Sequence, residues 1–353
     1  MTFLNPFFRS LAGLFLLLFL AGCGGGGQPL EFETPTAVNT AVVPDSTSPP
    51  PTATTVTSPT TASPASPDLV WLPFGTGNQG EPILTIRDGQ PGTELPLTAV
   101  EIFFDYAPRY GLMAYGDQFW FPTNDGQAVV TNLVVYDFVR QTSTPWLRGE
   151  VGRAAWSPST AQIAVAYYQN NQFDLALISE PGLLQSVVRN VEPSFSWSPT
   201  GQAIAYVRGN ELWRYSPSAG EELLFKGLDR GAGWLGDAPA WSPTATAVVY
   251  PHTPFVIIHN DRAIIPTDSD GQALSEPRPR TMLLSDQYHQ LVAQTEGQSG
   301  STVHIYQLTD DYTRVLDTAV LPNTQLIGWH TPNESIWLQD ADGTVHSWSL
   351  TQQ

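Results

Sequence analysis

Three observations on the 353-residue chain predict its fold class. A Trp-Ser-Pro motif and its degenerate copies recur at spacings of 41 to 50 residues. Short alternating apolar strands fill the spaces between recurrences, and no long stretch shows the 3.6-residue periodicity of a helix. A period near 40–45 with several strands per repeat predicts an all-β chain folded as a single β-propeller of four-stranded blades. Six or seven blades fit, with seven narrowly preferred. The expected order is a leader over residues 1–22, a lipid-bearing cysteine and disordered linker over 23–67, and the propeller over 68–353.

The leader is read from its charge and length. Arg9 precedes an apolar run from Leu11 to Ala21, which ends at Gly22-Cys23. A basic start, a short apolar segment and small residues at its end form a secretory signal. The run is shorter than the ~20 apolar residues that a membrane-crossing helix needs. Cys23 is the only cysteine of the chain. Leu20-Ala21-Gly22-Cys23 resembles the lipobox of bacterial lipoproteins, which implies cleavage before Cys23 and a diacylglyceryl group on its thiol. The resemblance places the chain at the cell membrane or envelope, lipid-anchored on the extracytoplasmic face. With no second cysteine, intrachain disulfides are excluded, and stability has to come from burial and hydrogen bonding.

From Thr34 to Pro67, 23 of 34 residues are Ser, Thr or Pro. Proline fixes φ and removes donors, and few large side chains are present to bury, so this segment predicts an extended stalk without a core. Beyond it, from Asp68 onward, 30 acids face 14 bases, a net charge of -16. Such a surface repels phosphate backbones, which disfavours nucleic acid as a partner. Lys226 is the sole lysine, so no polybasic segment assists the anchor.

The repeat is plainest at Trp156-Ser157-Pro158, Trp197-Ser198-Pro199 and Trp241-Ser242-Pro243. Each tryptophan is followed seven positions later by an apolar β-branched residue: Ile163, Ile204 and Val248. The same template finds Tyr106 with Met113, Leu284 with Leu291, and Trp329 with Ile336. A tryptophan ending the inner strand fills the wedge between blades, and Ser-Pro stops the strand, because proline cannot donate to a ladder. Asn170-Asn171 and Asp342-Gly343 suit tight hairpins. Ahead of the first repeat, Leu69–Leu72, Ile83–Ile86 and Leu95–Leu97 are expected as three further strands, with the ring closed by strands shared between first and last blades.

The Trp-Ser-Pro-x-Gly-x-x-Ile-Ala-Tyr pattern, closest at Phe195 to Tyr206, resembles the TolB-type, WD-like propeller repeat. It covers about Val100 to Leu350. Ser159-Thr160, Thr200-Gly201 and Thr244-Ala245 stand where that family carries Asp-Gly, a departure confined to turn chemistry. In TolB a separate α/β domain precedes the propeller, and here the expected stalk occupies that place, so the resemblance implies architecture and not a role in the Tol system.

Motifs that carry chemistry elsewhere lack their context. Gly75-Thr76-Gly77-Asn78-Gln79-Gly80 spells a dinucleotide fingerprint, but Glu81-Pro82 and a strand follow it instead of a helix. Gly297 to Ser301 does not spell a nucleophile elbow. Asp268 to Gly271 and Asp340 to Gly343 lack the bidentate Glu of an EF-hand and read as hairpin turns. The six histidines are scattered, without metal-ligand spacing. No catalytic residue, cofactor or metal is therefore assigned.

Loops leading into the inner strands share one rim of a propeller. Here they carry Glu150, Arg153 and Glu192, then Arg230, Trp234 and Asp237, then Arg278 and Arg280. Trp234 lies outside the repeat in a glycine-rich loop, with a stacking surface and charges beside it. The plainer role for this side chain is to plug the channel or to pack beneath the loop. The functional expectation is a monomeric, non-catalytic binding or scaffold module for an envelope protein or glycan, with Arg230, Trp234, Asp237, Arg278 and Arg280 as its binding face. The alternatives are an envelope carbohydrate-active hydrolase or lyase and a ligand-sensing head.

Overall fold

The computed structural model describes residues 67–71, 84–87, 90–91, 104–123, 126–228, 238–251, 254–275, 279–297 and 300–352. The leader, Cys23, the linker as far as Ser66, the glycine-rich segment at 75–80 and the strand expected at 95–97 lie outside them.

The seven-residue spacing of the sequence motif is a cross-strand register. Tyr106 pairs with Met113, Trp156 with Ile163, Trp197 with Ile204, Trp241 with Val248, Leu284 with Leu291, and Trp329 with Ile336. The six anchors and their partners therefore mark six turns between a first and a second strand. The serine of the motif holds that turn. Ser157, Ser198 and Ser242 are buried, and each donates its backbone N–H to the carbonyl five residues on. Their hydroxyls accept from Thr160 N (3.2 Å), Ala203 N (3.1 Å) and Ala247 N (3.0 Å). A buried hydroxyl here satisfies an amide that proline and the tight turn would otherwise orphan.

The result is a six-blade β-propeller of antiparallel sheets. Blade 1 is β4 (Phe104–Ala107), β5 (Leu112–Thr123), β6 (Gly126–Asp137) and β7 (Thr142–Leu147). Blade 2 is β8 (Val151–Trp156), β9 (Ile163–Gln169), β10 (Gln172–Ile178) and β11 (Leu184–Val191). Blade 3 is β12 (Phe195–Trp197), β13 (Ile204–Arg208), β14 (Glu211–Ser216) and β15 (Gly220–Lys226). Blade 4 is β16 (Ala240–Trp241), β17 (Ala247–Tyr250), β18 (Val256–His259) and β19 (Arg262–Ile264). Blade 5 is β20 (Pro279–Ser285), β21 (Gln290–Gly297), β22 (Gly300–Leu308) and β23 (Val315–Pro322). Blade 6 is β24 (Thr324–Thr331), β25 (Ser335–Asp340) and β26 (Val345–Ser349). First strands of successive blades neighbour one another from β4 to β24, so they line the central channel. Helix is confined, among the described residues, to one 3-10 turn at Leu350–Gln352, and no helix there is long and apolar enough to cross a membrane.

Of the two blade counts, the structure gives six. The strands ahead of the first repeat form a small sheet of their own: β1 (Leu69–Trp71), β2 (Leu84–Arg87) and β3 (Gln90–Pro91). They pair only with each other among the described residues, so the strand-sharing closure expected from sequence is not seen there.

Side-chain alternation puts the core between sheets. Within β13, Ile204 and Tyr206 face blade 2, while Ala205 and Val207 face blade 4. Similar apolar clusters fill each successive seam, from Val70 of the small sheet against Met113 and Tyr136 to Val292 and Ile305 against Leu326 and Ile336. The hairpins follow their turn residues. Asn170 and Asn171 take φ of 51° and 64° between the paired Gln169 and Gln172, as a two-residue primed turn requires. Asp268 Oδ1 accepts from Asp270 N and Gln272 N, and Asp342 Oδ1 from Thr344 N. Both acidic stretches are thus turns held by their own carboxylates.

Candidate binding face and channel wall

The loop that follows Lys226 leads into β16. Arg230, Trp234 and Asp237 of this loop, and Arg278 of the next, lie outside the described residues. Arg280 lies in β20, between the pairs Pro279↔Thr295 and Thr281↔Gln294, at a shift of register. A bulge at this point re-aims the chain as it enters the inner strand. Similar shifts occur between Val151 and Arg153 in β8 and between Leu326 and Gly328 in β24, so three inner strands bend at their start.

Arg153 was expected on a loop and instead belongs to β8. Its guanidinium sits 5.9 Å from the ring centroid of Phe195 in blade 3, and its Nε is buried without a hydrogen-bond partner. Desolvation lowers its pKa, and the charge of Asp105 in blade 1 acts against that. Asp105 in turn accepts from the backbone N–H of Trp156 at 2.6 Å. Burial drives its carboxyl from 3.8 to about 6, while the Trp156 N–H and Arg153 act in the opposite direction. A carboxyl and a guanidinium from two blades thus share one partly dehydrated stretch of wall.

The position before an anchor links neighbouring blades at Asp105, Ala155 and Ser196. Asp105 precedes Tyr106 and receives Trp156 N. Ser196 precedes Trp197 and donates its hydroxyl to Pro239 O of blade 4 at 2.5 Å. Two of the anchors answer in the other direction. The Trp197 indole donates to Ala155 O (3.0 Å), and the Trp241 indole to Ser196 O (3.3 Å). Sequence reasoning missed Asp105 and this linkage, although the acid standing where Ala155, Ser196 and Ala240 occupy the other copies was a signal.

Two histidines from separate blades converge on one ring. The imidazoles of His259 and His289 lie 5.1 and 5.2 Å from the Tyr312 ring centroid. Among the described residues, no three His, Cys, Asp or Glu side chains are grouped closely enough to hold a metal ion.

No protein-family model matches the chain, and none of the curated proteins matches it in sequence. Solved structures do resemble it in fold. One is the Kuenenia stuttgartiensis hydrazine synthase, at 11% identity and a TM-score of 0.50, covering 82% of this chain and 97% of that one. The β-propeller domain of Cps50 (Swd1) from Myceliophteria thermophila has 11% identity and a TM-score of 0.48, covering 76% and 89%. A chain of a nidogen/laminin complex has 9% identity and a TM-score of 0.45, covering 68% and 90%. At such identities the likeness concerns architecture alone, and the hydrazine synthase chain shares it over 82% of this sequence. A β-propeller is consistent with a binding or scaffold module, and the fold by itself fixes no function.

Proposed function

We propose that the chain is a lipid-anchored, extracytoplasmic propeller that serves as a non-catalytic binding or scaffold module for an envelope protein or glycan. The observation that carries this reading is how the channel-wall polar groups are used. Asp105, Trp197, Ser196 and Trp241 hydrogen-bond from blade to blade. That use rigidifies the disk and leaves recognition to the loops around it. The lead-in rim bearing Arg230, Trp234, Asp237, Arg278 and Arg280 is the proposed face. A basic cluster on an acidic disk favours a carboxylate or uronic acid on the partner.

The rival reading, a carbohydrate-active hydrolase or lyase, draws on Asp105, since a carboxyl near 6 suits a general acid. It also needs a second carboxylate across the scissile bond. The charged neighbour acting on Asp105 is Arg153, which favours the structural role.

Crosslinking and pull-down from intact membranes test the module. A reproducible partner supports it, whereas turnover of a polysaccharide panel by the purified protein refutes it. With that partner in hand, Trp234→Ala combined with Arg280→Ala should weaken binding and leave the melting temperature nearly unchanged. Anchoring has a separate test. Cys23→Ser should abolish labelling by a palmitate analogue and release the protein from membranes, and label retained in this variant overturns the anchor.

A further inference from the structure

A cleft of about 200 Å³ opens between blades 3 and 4, at the end of the disk that carries the Trp-Ser-Pro turns. Its lining includes Arg214, Leu224, Trp241, Ile258, Asn260 and Asp261. The repeat itself shows what closes the corresponding seam elsewhere. In blade 1, Trp146 falls at a register shift in the outermost strand, between the pairs Leu133↔Leu147 and Val134↔Pro145. Its ring packs edge-on against the next anchor, Trp156, at 5.6 Å, and Val135 is buried in the same seam. In blade 3, Leu224 falls at the same shift, between Leu212↔Phe225 and Trp213↔Leu223. Counting from the paired Tyr136 and Tyr215, Arg214 occupies the place of Val135. A tryptophan and a valine that seal Trp156 are thus replaced by a leucine and an arginine beside Trp241. The seam is left open over a half-buried indole.

The open seam is also chemically differentiated. Trp241, Leu224 and Ile258 supply an apolar wall, and Arg214, Asn260 and Asp261 supply a polar rim. Asn260 and Asp261 are held in a primed turn, with φ of 49° and 58°. Arg214 is braced by Glu222, with Nε to Oε2 at 3.0 Å, and lies 3.9 Å from Asp261. One guanidinium facing two carboxylates leaves the cleft with no surplus positive charge. An apolar face beside hydrogen-bonding groups suits a sugar ring, with C–H groups toward the indole and hydroxyls toward the rim. The volume equals about seven waters at ~30 Å³ each, room for one ring.

We propose that this cleft is a subsite for a single neutral pyranose unit of a glycan, on the opposite end of the disk from the lead-in rim. It rests on the binding-module reading only in taking a glycan as ligand. The test is saturation-transfer NMR on the full-length protein, with methyl glycosides of glucose, mannose, galactose and N-acetylglucosamine and the methyl glycoside of glucuronic acid as probes. Saturation transfer to at least one neutral glycoside is expected, with at least a fivefold weaker signal for the glucuronide. Leu224→Trp with Arg214→Val rebuilds the blade 1 seal and should abolish the transfer. Asp261→Ala, at an exposed turn, should weaken it while leaving the buried side chains of the seam in place. Transfer that survives both variants, or none to any neutral glycoside, overturns the subsite. A partner captured on the lead-in rim would stand in either case, so the two readings fail separately.

Discussion

Asp105 illustrates how one side chain can serve architecture at an energetic cost. Its carboxyl titrates near 6 in the folded chain against an ordinary 3.8, so the folded state holds this proton more tightly than the unfolded state does. The resulting stabilisation is complete below the ordinary value and is lost as pH rises through the folded one. At ~1.4 kcal/mol per pKa unit, this loss amounts to at most about 3 kcal/mol. Asp105→Asn has no such proton to lose. Whatever constant offset follows from exchanging a protonated carboxyl for an amide, the variant should gain on the wild type by up to about 3 kcal/mol between pH ~4 and pH ~7. Urea unfolding across that range measures the difference, and a gap independent of pH would show that Asp105 is not the titrating group.

At the scale of the element, the anchors make two different kinds of seam. The Trp197 indole reaches a backbone carbonyl of the preceding blade, whereas the Trp156 nitrogen is buried without a partner. Replacing either with phenylalanine removes similar volume and keeps an aromatic ring in the seam, so the polar group is the main difference between the two changes. Trp197→Phe should be more destabilising than Trp156→Phe by about 1–3 kcal/mol, because one change loses a hydrogen bond and the other removes an unsatisfied donor. Equal losses in thermal unfolding would mean that the indole contacts contribute nothing beyond packing.

The strands were legible for the same reason that these seams repeat. The anchor and its partner seven residues on lie directly opposite across a turn, so even the altered copies at Tyr106 and Leu284 betray their register. What sequence did not reveal depends on pairing at a distance. Asp105 and Arg153 interact across blades, and although an acid before the Tyr106 anchor departs from the other copies, nothing local names Arg153 as its partner. The correspondence of Trp146 with Leu224 appears only once the register shifts in β7 and β15 are aligned. The seventh blade was over-read because Leu69–Trp71 and Leu84–Arg87 have proper strand patterns but pair as a separate small sheet. The proposed rim residues other than Arg280 lie outside the described residues, and Arg280 is placed only by its backbone.

For the whole molecule, the absence of any second cysteine leaves cohesion to the seams between sheets. A chain produced from Asp68 to Gln353 should therefore unfold in one cooperative step and resist limited proteolysis, with circular dichroism dominated by strand. Two separated melting transitions, or stable cleavage into halves, would instead indicate two domains within this span.

The placement of those apolar clusters has a consequence for how such a chain can change. The sequence repeats by blade, yet the apolar clusters lie between blades, each built from halves of two repeats. The unit that is copied and the unit that is stable are offset by half a period. A duplicated blade would have to arrive with two faces already matched to strangers, whereas paired changes across one seam alter a single cluster and spare the rest. Diversity should therefore accumulate seam by seam, and the opened seam over Trp241 is the kind of local departure this arrangement tolerates.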